Sequence, residues 1–266
     1  MKKAIVRTLF SFILGKKFMQ PVFEKMLQFS LLGMNIGEGA NPHKSGEKNV
    51  IRYVKKKYKD AAITIFDVGA NIGSYSLFSK KHCPNAQIFA FEPSVHTYNV
   101  LAKNVSAVSA VKAVNLGLSD APGTLTLFSD DQGSSIASLY QRDLAHYSIH
   151  FNRKEEVRLS TVDLFCKENN IPHIHFLKID VEGHELKVLK GAEGMIGSGA
   201  VDLIQFEFGG TSIDAGVYFK NYFTFLNSSY RIYRIIRNGF RAVDHYTEVH
   251  EQFLATNFLA IKRSLL

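Results

Sequence analysis

Two hydrophobic periods alternate along this chain. Short, nearly continuous apolar runs at residues 63–68, 86–91, 111–118, 175–179 and 201–206 read as strands buried on both faces. Between them, residues 49–58, 74–81, 95–105, 161–169 and 185–189 carry apolar positions at helical spacing. This alternation predicts an α/β fold: a mostly parallel sheet with helices on both faces. Residues 123–128 switch to period two after the turn at 120–123 and predict a β-hairpin excursion, with 157–159 as a further short strand. Residues 230–236 and 253–261 read as the last two strands, an antiparallel pair joined across Asn238 and Gly239.

The N-terminal pattern is different. Ile5, Leu9, Phe12 and Ile13, then Phe18, Val22, Phe23, Met26, Leu27 and Leu31, recur at helical spacing, with Lys2, Lys3, Arg7, Lys16, Lys17 and Lys25 among them. The leading expectation is a pair of helices that caps the domain; a basic amphipathic element resting on anionic lipid is the alternative. The start resembles a signal peptide, but Arg7 and Lys16-Lys17 interrupt the apolar run and no small-residue cleavage site follows. Gly33, Gly37, Gly39, Pro42 and Gly46 mark a connecting loop. The expected organisation is a helical N-terminal extension and linker over residues 1–48, followed by one domain over 49–266.

The densest chemical signal follows the first predicted strand. Asp67-Val-Gly69-Ala-Asn71-Ile-Gly73 is an acidic, glycine-rich turn that opens into a helix, and Glu92 closes the next strand about twenty residues later. A glycine turn lets the backbone approach a nucleoside, and a strand-end carboxylate can accept both ribose hydroxyls. Asp67 stands where a pyrophosphate would be repelled, so the turn is better matched to a cationic nucleoside such as S-adenosylmethionine than to a dinucleotide. In open α/β sheets ligands lie beyond the C-terminal strand ends, and Asp67, Glu92, Asp180 and Glu207 each stand at one of them. Gly133, Ser134 and Ser135, in a polar stretch over 130–138, are candidates for a lid near that rim.

Composition narrows the picture only a little. A net charge of +8 is compatible with nucleic acid, anionic lipid or an anionic glycan and does not choose among them. Cys83 and Cys166 have no metal-ligand spacing and read as free thiols of a reducing compartment; the histidines form no metal motif, so no metal is expected. The expected location is the cytoplasm, with the inner membrane face as an alternative.

A second dense motif, Lys178-Ile-Asp-Val-Glu-Gly-His-Glu185, places Asp180, Glu182, His184 and Glu185 just beyond a buried strand. Together with Phe66-Asp-Val-Gly-Ala-Asn-Ile-Gly73, Phe91-Glu-Pro93, Leu116-Gly-Leu-Ser-Asp120 and Ser160-Thr-Val-Asp163, it makes the chain resemble the FkbM family of S-adenosylmethionine-dependent methyltransferases over roughly residues 60–210. The resemblance implies a class I methyltransferase (Rossmann-like) fold with a seven-stranded sheet, S-adenosyl-L-methionine as cofactor, and methylation of a hydroxyl oxygen on a sugar, glycan or other small molecule. It assigns Asp67, Gly69, Asn71, Gly73, Glu92, Ser119, Asp120 and Asp180 to the cofactor.

Methyl transfer to a hydroxyl needs positioning and removal of a proton. His184 is the expected general base, because an unperturbed imidazole titrates near neutrality. Asp180 is expected to orient it or take the proton, and Glu182 to bind acceptor hydroxyls. Glu185 reads as solvated or paired with Lys187 or Lys190. Lys178, if it points inward, must meet a carboxylate. The competing functions are a nucleic-acid methyltransferase, prompted by the net charge, and a non-catalytic module on a membrane face, prompted by the N-terminal segment. A nicotinamide oxidoreductase is disfavoured by Asp67 and the missing third glycine. No nucleic-acid partner is expected, and a homo-oligomer is left open.

Overall fold

The apolar runs pair laterally into a sheet whose two faces have separate cores. The computed structural model describes residues 10–39 and 44–266. Its strands are β1 (Thr64–Val68), β2 (Gln87–Phe91), β3 (Val111–Val114), β4 (Gly117–Leu118), β5 (Gly123–Ser129) and β6 (Arg153–Ser160). They continue with β7 (Ile174–Ile179), β8 (Val201–Phe208), β9 (Tyr230–Ile236), β10 (Gly239–Val243) and β11 (Thr256–Lys262). The helices are α1 (Gln20–Gly33), α2 (Glu47–Tyr58), α3 (Ser74–His82), α4 (Val95–Val105) and α5 (Val162–Glu168). Short helices α6 (Glu185–Lys190), α7 (Glu193–Gly197) and α8 (Thr211–Asp214) precede α9 (Phe219–Leu226).

The main sheet has eight strands rather than the seven expected, in the order β10-β9-β11-β8-β7-β1-β2-β3. β3, β2, β1, β7 and β8 are parallel neighbours, and β11 runs antiparallel to both β8 and β9. The additional strand is β10, which forms a hairpin with β9. Asn238 and Gly239 therefore belong to that hairpin, and β11 slots between β8 and β9 instead of following β9 directly. Period two fits both arrangements, so the pattern alone did not separate them.

The predicted strand over 111–118 divides. β3 stays in the main sheet, whereas β4 joins β5 and β6 in a second, three-stranded sheet. Asn115 marks the break: its side-chain amide donates to the carbonyls of Glu92 and Pro93, at 3.0 and 2.8 Å, and turns the chain off the sheet edge. The expected hairpin is β5 with β6, joined by a long excursion whose Ser138 pairs with Phe128.

Strand alternation distributes the core. Phe66, Phe89, Leu177 and Ile204 lie in one cluster with Phe165 of α5 and Val188 of α6. Ile65, Ile88, Phe176 and Leu203 lie in the other with Val50, Ile51 and Val54 of α2. Both cysteines are buried and unpaired.

The N-terminal expectation needs correction where it can be compared; residues 1–9 lie outside the described residues. α1 does not cap the domain, for none of its residues is buried. The following segment is instead fastened to the sheet. The Asn35 amide donates to the carbonyls of Ser45 and Ile235, Gly39 N–H to Ala255, and the Asn49 amide to Arg237. α2 begins at Glu47, slightly ahead of the predicted helix.

Candidate active site

The turn after β1 is built from left-handed residues. Gly69, Asn71 and Gly73 have φ of 78°, 48° and 88°. The first position has no alternative to glycine, because a Cβ there would overlap the Asp180 carbonyl beyond β7. The N–H groups of Gly69 and Ala70 both donate to the Phe91 carbonyl, at 3.0 and 2.9 Å. Asn71 N–H donates to Glu92 Oε2 at 3.0 Å, and Ser94 N–H to Oε1 at 3.1 Å. The turn and the acidic strand end are thus one hydrogen-bonded unit. Burial pushes the Glu92 carboxyl up to about 7, against the lowering effect of those two N–H donors.

A cavity of about 820 Å³ opens beyond the strand ends, within the range of about 300–1,000 Å³ usual for small-molecule sites. Residues 69–72 and Glu92 form one wall; Leu116, Gly117 and Leu118 form an apolar side. Residues 133–137 of the excursion between β5 and β6 also line it, Gly133, Ser134 and Ser135 among them. Ser138 holds that excursion down by donating to the Glu182 carbonyl at 2.7 Å. The opposite wall carries Glu47, Lys178, Asp180, Glu182, His184 and Glu207.

Several predicted residues stand elsewhere. Asp67 has no exposure and lies beneath the turn: its Oδ2 accepts from Ser76 Oγ at 2.7 Å, and its Oδ1 is 3.6 Å from Lys178 Nζ. Ser119 is buried behind the cavity wall, with its Oγ 2.8 Å from His184 Nε2. Asp120 receives Ser119 Oγ–H at 3.1 Å and forms an ion pair with Lys187 at 2.6 Å. These three shape the site from outside the cavity.

His184 faces the cavity but is 4% exposed, and both ring nitrogens are engaged, Nδ1 with Tyr140 Oη at 3.2 Å. Burial drives its pKa down to about 4, with Asp120 opposing. It is therefore a neutral imidazole held between two hydroxyls, not the accessible neutral-pH base that its sequence position promised. Glu182 has φ of 51° and meets Arg142 Nη1 at 3.3 Å. Burial, reinforced by Asp180 and Glu185 and opposed by Arg142, pushes Glu182 up to about 8. Burial and the same carboxylate neighbours hold Glu207 well above the ordinary range.

Glu185 is neither solvated nor paired with a lysine. It is 1% exposed, and its Oε1 accepts the N–H groups of Val181 and Gly183 at 3.0 and 3.2 Å, bracing the Asp180–Glu185 loop. Burial raises it to about 7 despite those donors. The sequence reading missed Glu47, Tyr75 and Gln205. Gln205 Nε2 donates to Glu47 Oε1 at 2.7 Å, and Tyr75 Oη–H to Gln205 Oε1 at 3.0 Å. Glu47 stood in a predicted linker and gave no signal. The inward lysine did give one, through its need for buried carboxylate partners.

A Rossmann-like sheet, a glycine turn bonded to a strand-end carboxylate and a cavity beyond those strand ends define a class I methyltransferase. The methyltransferase FkbM domain matches residues 67–241. The chain belongs to that family. It is 36% identical over 155 residues to methyltransferase sdnD of Sordaria araneosa, a match covering 48% of this chain and 60% of that protein. The hexuronic acid methyltransferase AglP of Haloferax volcanii is 29% identical over 147 residues, covering 55% and 56%. The 2-O-methyltransferase NoeI of Sinorhizobium fredii is 24% identical over 139 residues, covering 48% and 57%. The matches span less than two thirds of each relative's length. Among solved structures, an O-methyltransferase from Bacillus cereus in complex with SAH covers 97% of both chains at 10% identity and a TM-score of 0.43.

Proposed function

We propose that this methyltransferase acts on a hydroxyl oxygen of a sugar, glycan or other polyhydroxylated small molecule, in the cytoplasm. The observation that carries the reading is the division of the cavity into two chemically different walls. One has the glycine turn and Glu92; the other presents Glu47, Asp180, Glu182 and Glu207 around Lys178, which pairs with Asp180. The first wall fits a nucleoside, because Gly69 leaves room at the backbone and Glu92 keeps acceptor lone pairs beside the two N–H groups it already receives. The cofactor, S-adenosyl-L-methionine, supplies a methyl group activated on a sulfonium. Gly69, Asn71 and Glu92 would hold it, with Asp180 offering a carboxylate to its positive charge; Gly73, which lies against Leu101 and Val105 rather than the cavity, and Asp67, Ser119 and Asp120 would support the turn and wall from behind.

A wall rich in carboxyl groups suits hydroxyl donors, which favours a polyhydroxylated small acceptor. Transfer would break the S–CH3 bond and leave the cofactor as a neutral thioether, and the acceptor hydroxyl's proton would pass to a carboxylate of this wall. Glu182 is the group we assign to that transfer, because it lines the cavity on the loop after β7 with Arg142 fixing its carboxyl at 3.3 Å, and burial raises its pKa toward the range in which a base works well. His184, neutral and fixed by Ser119 and Tyr140, then serves to position the loop and the acceptor. Asp180 shares its charge with Lys178, at 3.0 Å. Glu47 and Lys48, in the first turn of α2, line the acceptor side of the cavity.

The test is transfer of labelled methyl from S-adenosylmethionine to a panel of neutral glycosides, hexuronides, amino sugars, polyols and a structured RNA. Labelling of hydroxylated small molecules, abolished by Gly69→Val, is the expected result. Labelling of RNA alone overturns the acceptor assignment.

A further inference from the structure

The described part of the N-terminal segment keeps its apolar side chains in solvent. Phe12, Phe18 and Phe29 are 67%, 70% and 79% exposed. Along α1, Val22, Met26 and Phe29 recur at i, i+4 and i+7 as an outward stripe that Leu32 extends, and Leu27 adds a further exposed apolar side chain beside it. Large exposed apolar patches mark an interaction surface. The charge around this one is mostly positive. Residues 1–34 contain six Lys or Arg and one Glu, a net +5 of the chain's +8. Lys16, Lys17 and Lys25 are all exposed, and Lys25 flanks the stripe. Among the described residues no helix is long and apolar enough to cross a membrane.

We infer that residues 10–34 dock on the surface of an anionic bilayer, with the phenylalanines and the α1 stripe in the headgroup–acyl boundary and the lysines against the headgroup charge. Charge complementarity selects this occupant. A second copy of the segment would set like-charged lysines against each other, and an RNA would satisfy the lysines but leave the phenylalanines in water. Docking also has a consequence for the site. The chain leaving α1 passes through Gly39, which is bonded to Ala255 at 2.8 Å, and reaches Glu47 and Lys48; all three line the cavity. A bilayer-bound α1 therefore holds the acceptor side of the cavity close to the membrane surface.

The full chain is tested by co-sedimentation with phosphatidylcholine vesicles with and without phosphatidylserine. The chain has no tryptophan, so Phe29→Trp adds a single reporter whose emission shifts to the blue on insertion. The expected result is pelleting and a blue shift with the anionic vesicles only. Phe18→Ser/Phe29→Ser and Lys16→Glu/Lys17→Glu should each lower the partition coefficient about tenfold or more. These side chains are exposed, so unchanged thermal melting and S-adenosylmethionine binding confirm that the variants are folded. Wild-type chain that stays in the supernatant with anionic vesicles overturns the inference. So does pelleting that neither double variant reduces. A mass by light scattering that falls by half in the phenylalanine variant, without vesicle binding, assigns the stripe to a second copy instead.

Discussion

Asp67 and Lys178 are direct register partners on the adjacent parallel strands β1 and β7, and their charged atoms lie 3.6 Å apart with almost no exposure to solvent. The same row continues to Gln205 on β8. It runs across the sheet floor under the cofactor turn, with Tyr75 stacked on the Lys178 ammonium at 4.8 Å. Burial alone would depress the lysine, but Asp180, Asp67 and Glu47 outweigh it and raise its pKa. The acidic residue of the turn therefore balances a buried cation in the protein.

This pairing sets a stability prediction. Lys178→Met leaves Asp67 buried without its countercharge, a change expected to cost about 3–5 kcal/mol. Asp67→Asn can still accept from Ser76, and combining it with Lys178→Met should recover a large part of that loss. Urea unfolding of the two single variants and the double variant measures the coupling. Strictly additive losses would show that the two charges do not depend on each other.

Cofactor affinity should respond to the turn and to Glu92 in separable ways. Gly69→Ala forces a Cβ onto the Asp180 carbonyl and a left-handed backbone onto alanine, so S-adenosylmethionine binding should fall at least about tenfold, with some loss of stability. Glu92→Gln should weaken binding about 10–100-fold, the worth of a hydrogen bond to a charged group. Because Glu92 is pushed up to about 7 and the ionised form is the pure acceptor, wild-type affinity should rise between pH 6 and 8. Calorimetric titration across that range should find the glutamine variant flat.

The parts of this molecule that were legible in its sequence are those where one local pattern has one structural solution. Continuous apolar runs placed the core strands, and residues 95–105 were read with the bounds that α4 has. The turn was legible because φ above zero favours glycine or asparagine at fixed offsets, and Glu92 because it closes the next apolar run. Register was not legible. Nothing local in Asp67 says that Lys178 stands beside it, nor in Asn115 that its amide ends a strand. His184 shows the same limit: its residue type promises a neutral-pH base, but burial, which no local pattern announces, lowers its pKa, and Ser119 and Tyr140, distant in sequence, hold its ring. Glu47 is held at the cavity by partners distant from it in sequence, Gln205 of β8 donating to it at 2.7 Å.

Glu185 should behave as a structural carboxylate. Removing it in Glu185→Ala strands the N–H groups of Val181 and Gly183, which should cost about 2–4 kcal/mol. Glu185→Gln keeps an acceptor for both. The folded-state pKa is raised from 4.5 to about 7, so the carboxyl's contribution to stability is full below about 4.5 and is lost as the pH rises through 7. Chemical denaturation at pH 5 and pH 8 should show the glutamine variant losing less stability across that interval than the wild type. Equal losses would remove Glu185 from the account.

The assignment of the proton acceptor to Glu182 rather than His184 makes the most exacting prediction. A base must be deprotonated to act, so with Glu182 pushed up to about 8 the single-turnover rate should climb with pH and level off above that value. Arg142 opposes the rise in Glu182, so Arg142→Gln should displace the limb to higher pH while leaving its height similar. Glu182→Gln should lower the rate by about 10²–10⁴ and abolish the limb. His184→Gln should lower the rate less and leave the limb where it was, because an imidazole held at about 4 is already neutral throughout the range. A limb that disappears with His184→Gln and survives Glu182→Gln would reverse the two roles and return the proton to the imidazole.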